Sequence, residues 1–170
     1  MCYVFDLDGT LVDTRQAVVE AYRAIGVEMP EDAWGKPYRE WLPQPKWQLH
    51  EQKAVVYPTT LARFGKKLGL YDFVKAKGYP VLTGASYSAT LTIQREWGVL
   101  NIVGYGMRLE QKAYQLNKNF PHCTYVDDLE SARAFIKEYT TCHVISPQEC
   151  LDLFLRQEPT PGFNQSFPRV

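Results

Sequence analysis

Two aspartates, Asp6 and Asp8, stand two residues apart near the start of the sequence, directly after an apolar segment with the pattern of a buried strand. Because side chains alternate along a strand, these two point to the same side. Gly9 follows them and lets the chain turn sharply. In open α/β sheets, ligands bind at the carboxyl ends of the strands. The pattern therefore predicts two carboxylates facing one pocket, and the alternative is an ordinary turn with solvated acids.

The segment that contains these aspartates, VFDLDGTLVDT at residues 4–14, resembles the first motif of the haloacid dehalogenase-like superfamily, whose commonest members are phosphatases. The resemblance implies that Asp6 attacks phosphorus, and that Asp8 protonates the leaving oxygen and then activates water. It also implies that the main-chain carbonyl of Asp8 binds Mg²⁺. Such a route through an aspartyl-phosphate divides one difficult displacement into two easier ones.

The second motif implied by the resemblance is a hydroxyl residue at the end of a later strand. Thr83 and Gly84 stand there, after the apolar run 79–82. The Thr83 hydroxyl and the following backbone N–H groups can hold phosphoryl oxygens, and Gly84 permits close approach. An apolar run that ends in Thr-Gly is a weak signal by itself, so its position after the first motif carries the interpretation.

The fourth motif implied by the resemblance is a pair of acids after a strand, and Asp127 and Asp128 follow the apolar run 124–126. Adjacent carboxylates repel, so a bound cation explains the pair. Either aspartate can bind Mg²⁺ directly while the other acts through water or a hydrogen bond. The alternative is that one of them caps a helix that begins near Leu129.

The third motif implied by the resemblance is a lysine shortly before the acidic strand, where it would neutralise the phosphoryl group and the nucleophile. Lys112 has the expected position, although Ala113 replaces the proline that often follows this lysine. Lys118 and Arg108 are the alternatives. The expected metal ligands are thus Asp6, Asp8, Asp127 and Asp128, and the expected phosphate-binding residues are Thr83, Gly84 and Lys112.

Short apolar runs alternate with longer segments of helical periodicity, which predicts a doubly wound α/β fold around a parallel sheet. The expected strands are 3–5, 79–82, 100–103, 124–126 and 143–145. Residues 1–14 and 58–155 are predicted to form a Rossmann-like catalytic core. The segment 15–57, rich in tryptophan, tyrosine and proline, is predicted to be a small helical insert, and the resemblance implies that it is a cap. Residues 156–170 are expected to form an extended or mobile tail.

Composition limits the possible partners. Nineteen basic residues balance nineteen acidic ones, so no overall field attracts a polyanion, and nucleic acid is an unlikely partner. No signal peptide or membrane span is readable. The four cysteines are far apart and without metal-binding spacing, which favours reduced, buried thiols in a cytoplasmic protein.

These observations predict a Mg²⁺-dependent phosphate-monoester hydrolase that acts on a small phosphorylated metabolite or nucleotide. A phosphomutase on the same fold is one alternative, and a phosphatase acting on nucleic-acid 3′ ends is another. A dehalogenase is disfavoured because carbon–halogen displacement needs neither Mg²⁺ nor an acid at position 8. The complete set of carboxylates also argues against a non-catalytic binding module.

Overall fold

The computed structural model describes residues 1–157, which form alternating strands and helices. The strands are β1 (Tyr3–Phe5), β2 (Val12–Asp13), β3 (Lys66–Lys67), β4 (Pro80–Leu82), β5 (Asn101–Gly104), β6 (Thr124–Val126) and β7 (His143–Ile145). The helices are α1 (Arg15–Ala24), α2 (Tyr38–Trp41), α3 (Lys46–Phe64), α4 (Tyr71–Lys77), α5 (Tyr87–Trp97), α6 (Leu109–Asn119), α7 (Glu130–Tyr139) and α8 (Pro147–Gln157). Within residues 1–157, no helix combines the length and the hydropathy of a membrane span.

Five parallel strands form the central sheet, in the order β5-β4-β1-β6-β7. Tyr3 and Phe5 belong to one hydrophobic cluster and Val4 to another, because alternate residues of a strand face opposite sides. The first cluster includes side chains from α3, α4, α5 and α8, and the second includes side chains from α6 and α7. Helices therefore cover both faces, and the predicted doubly wound α/β fold is confirmed.

All five predicted strands of this sheet are present, within one residue of their expected bounds. A separate antiparallel pair, β2 with β3, was not predicted. These strands are two residues long, which is too short for an alternating pattern to be recognised. The pair joins the segment after Asp8 to the segment after α3, so it fixes the path of the chain on leaving the aspartate turn.

Helices α1 and α3 pack against each other beside the sheet. A small cluster of their own, centred on Tyr22, Val27 and Leu42, holds this helical segment together. Helix α1 ends at Ala24, and Gly26 follows with φ of +83°, as its position in the sequence indicates. Helix α3 continues to Phe64, and its residue Leu61 is buried in the main core. One continuous helix thus belongs to both the helical segment and the core.

The expected tail lies almost entirely outside the described residues. Arg156 and Gln157 form the end of α8, and residues 158–170 are not described.

Two of the four cysteines form a disulfide, Cys2 with Cys123, so the prediction of four reduced thiols was wrong for this pair. The two are 121 residues apart in sequence, but Tyr3 pairs with Thr124 in the sheet. The residues preceding these partners are therefore neighbours, with Cα atoms 4.8 Å apart. Cys142 and Cys150 are buried free thiols, as predicted. Sequence spacing could not reveal a contact that only strand pairing creates.

Reduction of this disulfide should destabilise the protein, because the bond closes a long loop in the unfolded chain. We expect dithiothreitol to lower the free energy of unfolding by about 2–4 kcal/mol, measured by urea denaturation. Cys2→Ser removes the bond at an exposed position and should show the lower stability with or without dithiothreitol. If dithiothreitol lowered the free energy of unfolding of Cys2→Ser as much as that of the natural protein, the disulfide would not be the cause.

Candidate active site

The carboxyl ends of β1 and β6 bring the acidic groups together. Phe5 pairs with Val126, so Asp6 and Asp127 follow directly on adjacent strands. The Asp6 N–H donates to the Val126 carbonyl at 2.9 Å, which extends the ladder by one residue. Two short strands in fixed register therefore place two carboxylates side by side at one edge of the sheet.

A tight turn after β1 positions Asp8. The Leu7 carbonyl accepts N–H groups from Thr10 at 3.2 Å and from Leu11 at 2.8 Å, which folds the chain back on itself. Gly9 has φ of +78°, a left-handed conformation that glycine adopts without strain. A Cβ at this position would collide with the Asp128 carboxylate. Glycine is therefore required both by the turn and by the close approach of Asp128.

Lys112, in the first turn of α6, forms a buried ion pair with Asp6. Its Nζ is 2.6 Å from Asp6 Oδ1, and the two residues are 6% and 7% exposed. Burial lowers the pKa of Lys112, but the charges of Asp6 and Asp127 outweigh that effect and raise it above 10.5. Lys112 therefore stays protonated. Of the three cations considered from the sequence, this is the one that reaches Asp6.

Tyr125 connects this ion pair to Asp127. Its hydroxyl donates to Asp127 Oδ2 at 2.8 Å and accepts from Lys112 Nζ at 3.3 Å. Burial raises the pKa of Tyr125 well above its ordinary value, so the hydroxyl keeps its proton. Sequence reasoning treated Tyr125 as one apolar residue of a strand. Its hydroxyl group is the feature of the sequence from which such polar contacts could have been predicted.

Hydrogen bonds also orient the two adjacent aspartates. Asp127 Oδ1 accepts the Leu129 N–H at 3.0 Å, close to the capping contact considered as an alternative. The Thr10 hydroxyl accepts the Asp128 N–H at 3.2 Å and lies 3.3 Å from Asp128 Oδ1. Arg133 donates to the main-chain carbonyls of both aspartates at 2.9 Å. The roles of Thr10 and Arg133 were not recognised in the sequence.

The charges of this cluster favour a bound cation. Burial is the main cause that raises the pKa of Asp6 to about 6, against the opposing effect of Lys112. Burial and then the charge of Asp6 raise the pKa of Asp8 to about 6. Burial also raises the pKa of Asp127 and Asp128. Four carboxylates thus share one paired lysine, and a divalent ion would relieve their repulsion.

The donor set fits Mg²⁺. One carboxylate oxygen from each of Asp6, Asp127 and Asp128 lies within 4.8 Å of the others. Hard oxygen ligands of this kind are those that Mg²⁺ prefers, with water completing its octahedron. Asp128 is only partly buried and offers an oxygen next to the cavity described below.

Thr83 and Gly84 lie at the end of β4, across the site from α7. Thr83 is fully buried, and its hydroxyl accepts the Ala85 N–H at 2.9 Å. Gly84, Ala85 and Ser86 form the adjoining cavity wall. Ser86 accepts the Ala89 N–H and begins α5, so the amino end of that helix is directed towards the cavity wall. An anion is stabilised at such a helix end.

A cavity of about 590 Å³ lies between these strand ends and the helical segment. The wall formed by the core carries the charged groups Asp6, Asp8, Lys112, Asp127 and Asp128. The opposite wall includes Trp34 and a row on α3, namely His50, Lys53, Ala54 and Tyr57. We call this row the α3 wall. Its orientation depends on how α3 packs beside the core, so its proximity to the aspartates could not be predicted from the sequence.

The aromatic residues of the helical segment divide between two environments. Trp41 packs edge-on against Tyr22, with ring centroids 4.8 Å apart, in the small cluster of that segment. Tyr38 stacks on His50 at 3.9 Å. Trp34 lines the cavity, with the Arg15 guanidinium over its ring at 4.7 Å. Packing thus accounts for Trp41, whereas Trp34 can meet a ligand.

Solved structures of similar fold include hydrolases and phosphatases. A haloacid dehalogenase-like hydrolase from Streptococcus pneumoniae has 14% identity and a TM-score of 0.62, covering 90% of this chain and 97% of its own. A predicted phosphoglycolate phosphatase from Haemophilus somnus has 16% identity and a TM-score of 0.63, covering 85% and 84%. A beta-phosphoglucomutase candidate from Thermotoga maritima has 15% identity and a TM-score of 0.59, covering 92% and 99%.

No family model and no curated protein sequence matches this chain. At identities of this level the structural similarity establishes the fold. The chain therefore has the haloacid dehalogenase-like fold along nearly its whole length, as the sequence motifs predicted.

The buried ion pair generates a prediction about stability. Lys112→Met leaves the Asp6 carboxylate buried without its cation, and should lower the free energy of unfolding by about 3–5 kcal/mol. Adding Asp6→Asn to that variant removes the stranded charge and should recover part of the loss. Urea denaturation of the two single variants and the double variant measures the coupling. Strictly additive effects would show that the pair contributes no coupling to folding.

Lys53 generates a prediction about pH. Burial lowers the pKa of Lys53 from its ordinary value of 10.5 to about 8, with Asp8 opposing the shift. The charged form is thus disfavoured in the folded state, and stability rises as pH increases from about 8 to 10.5. Lys53→Met should therefore be more stable than the natural protein at pH 7, by up to ~3 kcal/mol. This advantage should shrink towards pH 10.5 in denaturation experiments, and a constant difference would contradict the assignment.

Proposed function

We propose that this chain, on its haloacid dehalogenase-like fold, is a Mg²⁺-dependent phosphate-monoester hydrolase that acts through an aspartyl-phosphate on Asp6. The observation that carries the proposal is the buried contact of 2.6 Å between Lys112 and Asp6 at the wall of a cavity that also receives Asp8. A buried carboxylate held by one cation, with a second carboxylate two residues away, is suited to nucleophilic and acid–base roles.

Asp6 is the proposed nucleophile. Lys112 holds its Oδ1, and the Thr10 hydroxyl lies 3.5 Å from its Oδ2, so the carboxylate is oriented before substrate arrives. A carboxylate oxygen forms a bond to phosphorus while the ester P–O bond breaks, and the electron pair leaves with the ester oxygen. The amino end of α5 and Lys112 offset the charge of the transferring group.

Asp8 is the proposed acid and base. Its pKa of about 6 leaves both protonation states accessible near neutral pH, as this double role needs. The protonated carboxyl gives its proton to the departing ester oxygen. The resulting carboxylate then takes a proton from water, whose oxygen attacks phosphorus. The bond to Asp6 breaks, and inorganic phosphate and the free Asp6 carboxylate are released.

Asp6, Asp127 and Asp128, with the main-chain carbonyl of Asp8, are the proposed ligands of Mg²⁺. When bound, the ion would supply positive charge that stabilises the phosphoryl oxygens. Tyr125 and Arg133 act on the protein side, since they hold Asp127 and Asp128 in place. Thr83 would support residues 84–86, the proposed phosphate-binding segment of the cavity wall, through its contact with Ala85.

The proposed substrate is a small phosphorylated molecule, which suits a cavity of about 590 Å³. In this proposal residues 15–57 act as the cap over a core of residues 1–14 and 58–155. The zero net charge of the chain disfavours nucleic acid as a substrate. The cytoplasmic location expected from the sequence would require the Cys2–Cys123 bond to persist where disulfides are rare.

A phosphomutase is the second candidate, because a beta-phosphoglucomutase candidate is among the solved structures of similar fold. A mutase transfers the phosphoryl group back to an organic hydroxyl. Product analysis distinguishes the two, since a hydrolase releases inorganic phosphate and a mutase yields an isomeric ester.

The experiment is a phosphate-release assay on a panel of phosphorylated metabolites and nucleotides, and a 3′-phosphorylated oligonucleotide, with Mg²⁺ and with a chelator. We expect release that depends on Mg²⁺ and that falls at least ~10³-fold in Asp6→Asn, because an amide keeps the shape but loses the nucleophilic charge. Asp152→Asn, the same change at an exposed position on α8, is the control. Turnover of Asp6→Asn near that of the control would exclude the covalent mechanism.

A further inference from the structure

The α3 wall belongs to the same cavity as the proposed phosphoryl-binding groups of the core. His50, Lys53, Ala54 and Tyr57 occupy positions i, i+3, i+4 and i+7 of one helix, so they share a face. All four line the cavity that Asp6 and Lys112 line from the core. A substrate whose phosphate lies at Asp6 therefore directs the remainder of the molecule towards this wall.

Lys53 is held in place by aromatic rings. Its Nζ lies 4.0 Å from the centroid of the Tyr57 ring and 5.6 Å from that of the Tyr22 ring. Contacts of a cation with aromatic faces stabilise the ammonium group and limit its motion. The ammonium group is therefore positioned before any ligand binds.

No carboxylate of the part of the chain described, residues 1–157, lies within 4.0 Å of Lys53 Nζ, and no hydrogen bond there involves this atom. The other lysine at the cavity, Lys112, is paired with Asp6. The lining of the cavity also includes the apolar or aromatic side chains of Val18, Trp34 and Ala54. The charge of Asp8 stabilises the ammonium group from a longer distance. A partly buried ammonium group with no carboxylate in direct contact is still costly, and an anionic ligand group would reduce that cost.

We propose that Lys53 is a specificity-determining residue that binds a second anionic group, a carboxylate or a phosphate, on the alcohol portion of the substrate. The inference rests on the proposed hydrolase function and adds to it the class of substrate: a phosphate monoester with another negative charge distant from the scissile bond. A hydrogen bond between two charged groups typically improves recognition by about 10- to 100-fold over an uncharged group.

The test compares matched substrates. Monoesters with a carboxylate two, three or four carbons from the ester oxygen are compared with alkyl phosphates of equal length, and propane-1,3-diyl bisphosphate is compared with propyl phosphate. The quantity measured is the ratio of kcat/KM within each pair. We expect the natural protein to favour at least one anionic ester by about 10- to 100-fold. A preference for a carboxylate ester identifies a carboxylate as the bound group, and a preference for the bisphosphate identifies a phosphate.

Lys53→Met keeps most of the length of the side chain and removes its charge, and it should reduce this ratio to near one. Lys53→Arg keeps the charge and should retain most of the preference. Lys46→Met removes one positive charge from the start of the same helix, outside the cavity lining, and should leave the ratio as in the natural protein. Thermal unfolding of each variant verifies that it is folded.

Two outcomes overturn the inference while the hydrolase function stands: no preference in any pair, or a preference that Lys53→Met retains. If no ester is hydrolysed, the proposed function fails, and binding then tests Lys53 separately. In that case the thermal shift produced by each ester is measured in Asp6→Asn, with and without Lys53→Met. The anion site is supported if the anionic ester gives a larger thermal shift than its uncharged partner in Asp6→Asn and if Lys53→Met removes this difference. Equal shifts for the two esters in Asp6→Asn overturn it.

Discussion

The ion pair between Lys112 and Asp6 is the interaction on which the candidate site depends. Four carboxylates converge on one edge of the sheet, and burial makes each of them costly to ionise. A single buried ammonium group, in contact with Asp6 and linked to Asp127 through Tyr125, offsets part of that cost. The remaining negative charge is a property of the folded protein, and a divalent cation would offset it.

The sheet supplies the geometry that makes this pair possible. The central strand, β1, has β4 and β6 as its neighbours, so the chain segments that follow these three strands meet at one edge. Each segment then turns away in its own manner: a glycine turn after Asp8, a helix start after Ser86 and another after Asp128. Acidic groups, an anion-stabilising helix end and the lysine of α6 are thereby brought together from four distant parts of the sequence. The helical segment contributes other residues of the cavity lining, so in the proposed hydrolase the reacting groups and the contacts with the rest of the substrate belong to different elements.

The sequence predicted those features that local patterns encode. The five strands and the convergence of Asp6 with Asp127 follow from periodicity and strand order. Three features could not be predicted, because they depend on tertiary contacts. Cys2 and Cys123 become neighbours only through the pairing of β1 with β6. The Tyr125 hydroxyl acquires its partners only when α6 packs on the sheet, and Lys53 faces the cavity only because α3 lies beside the core.

The shortness of the strands has a consequence for how the length of this chain can change during evolution. Strands β1 and β6 have three residues each, and side chains alternate with a period of two. Insertion of one residue between Cys2 and Asp6 would move the following side chains of β1 to the other face of the sheet, or the preceding ones if those shift instead. It would also place Cys2 out of register with Cys123. By contrast, the irregular connection between α1 and α3 contains a 3-10 turn (Glu31–Ala33) and the short helix α2, and it carries none of the acidic groups of the cluster. Insertions and deletions should therefore accumulate in that connection, while the spacing from Cys2 to Asp8 stays constant among homologues.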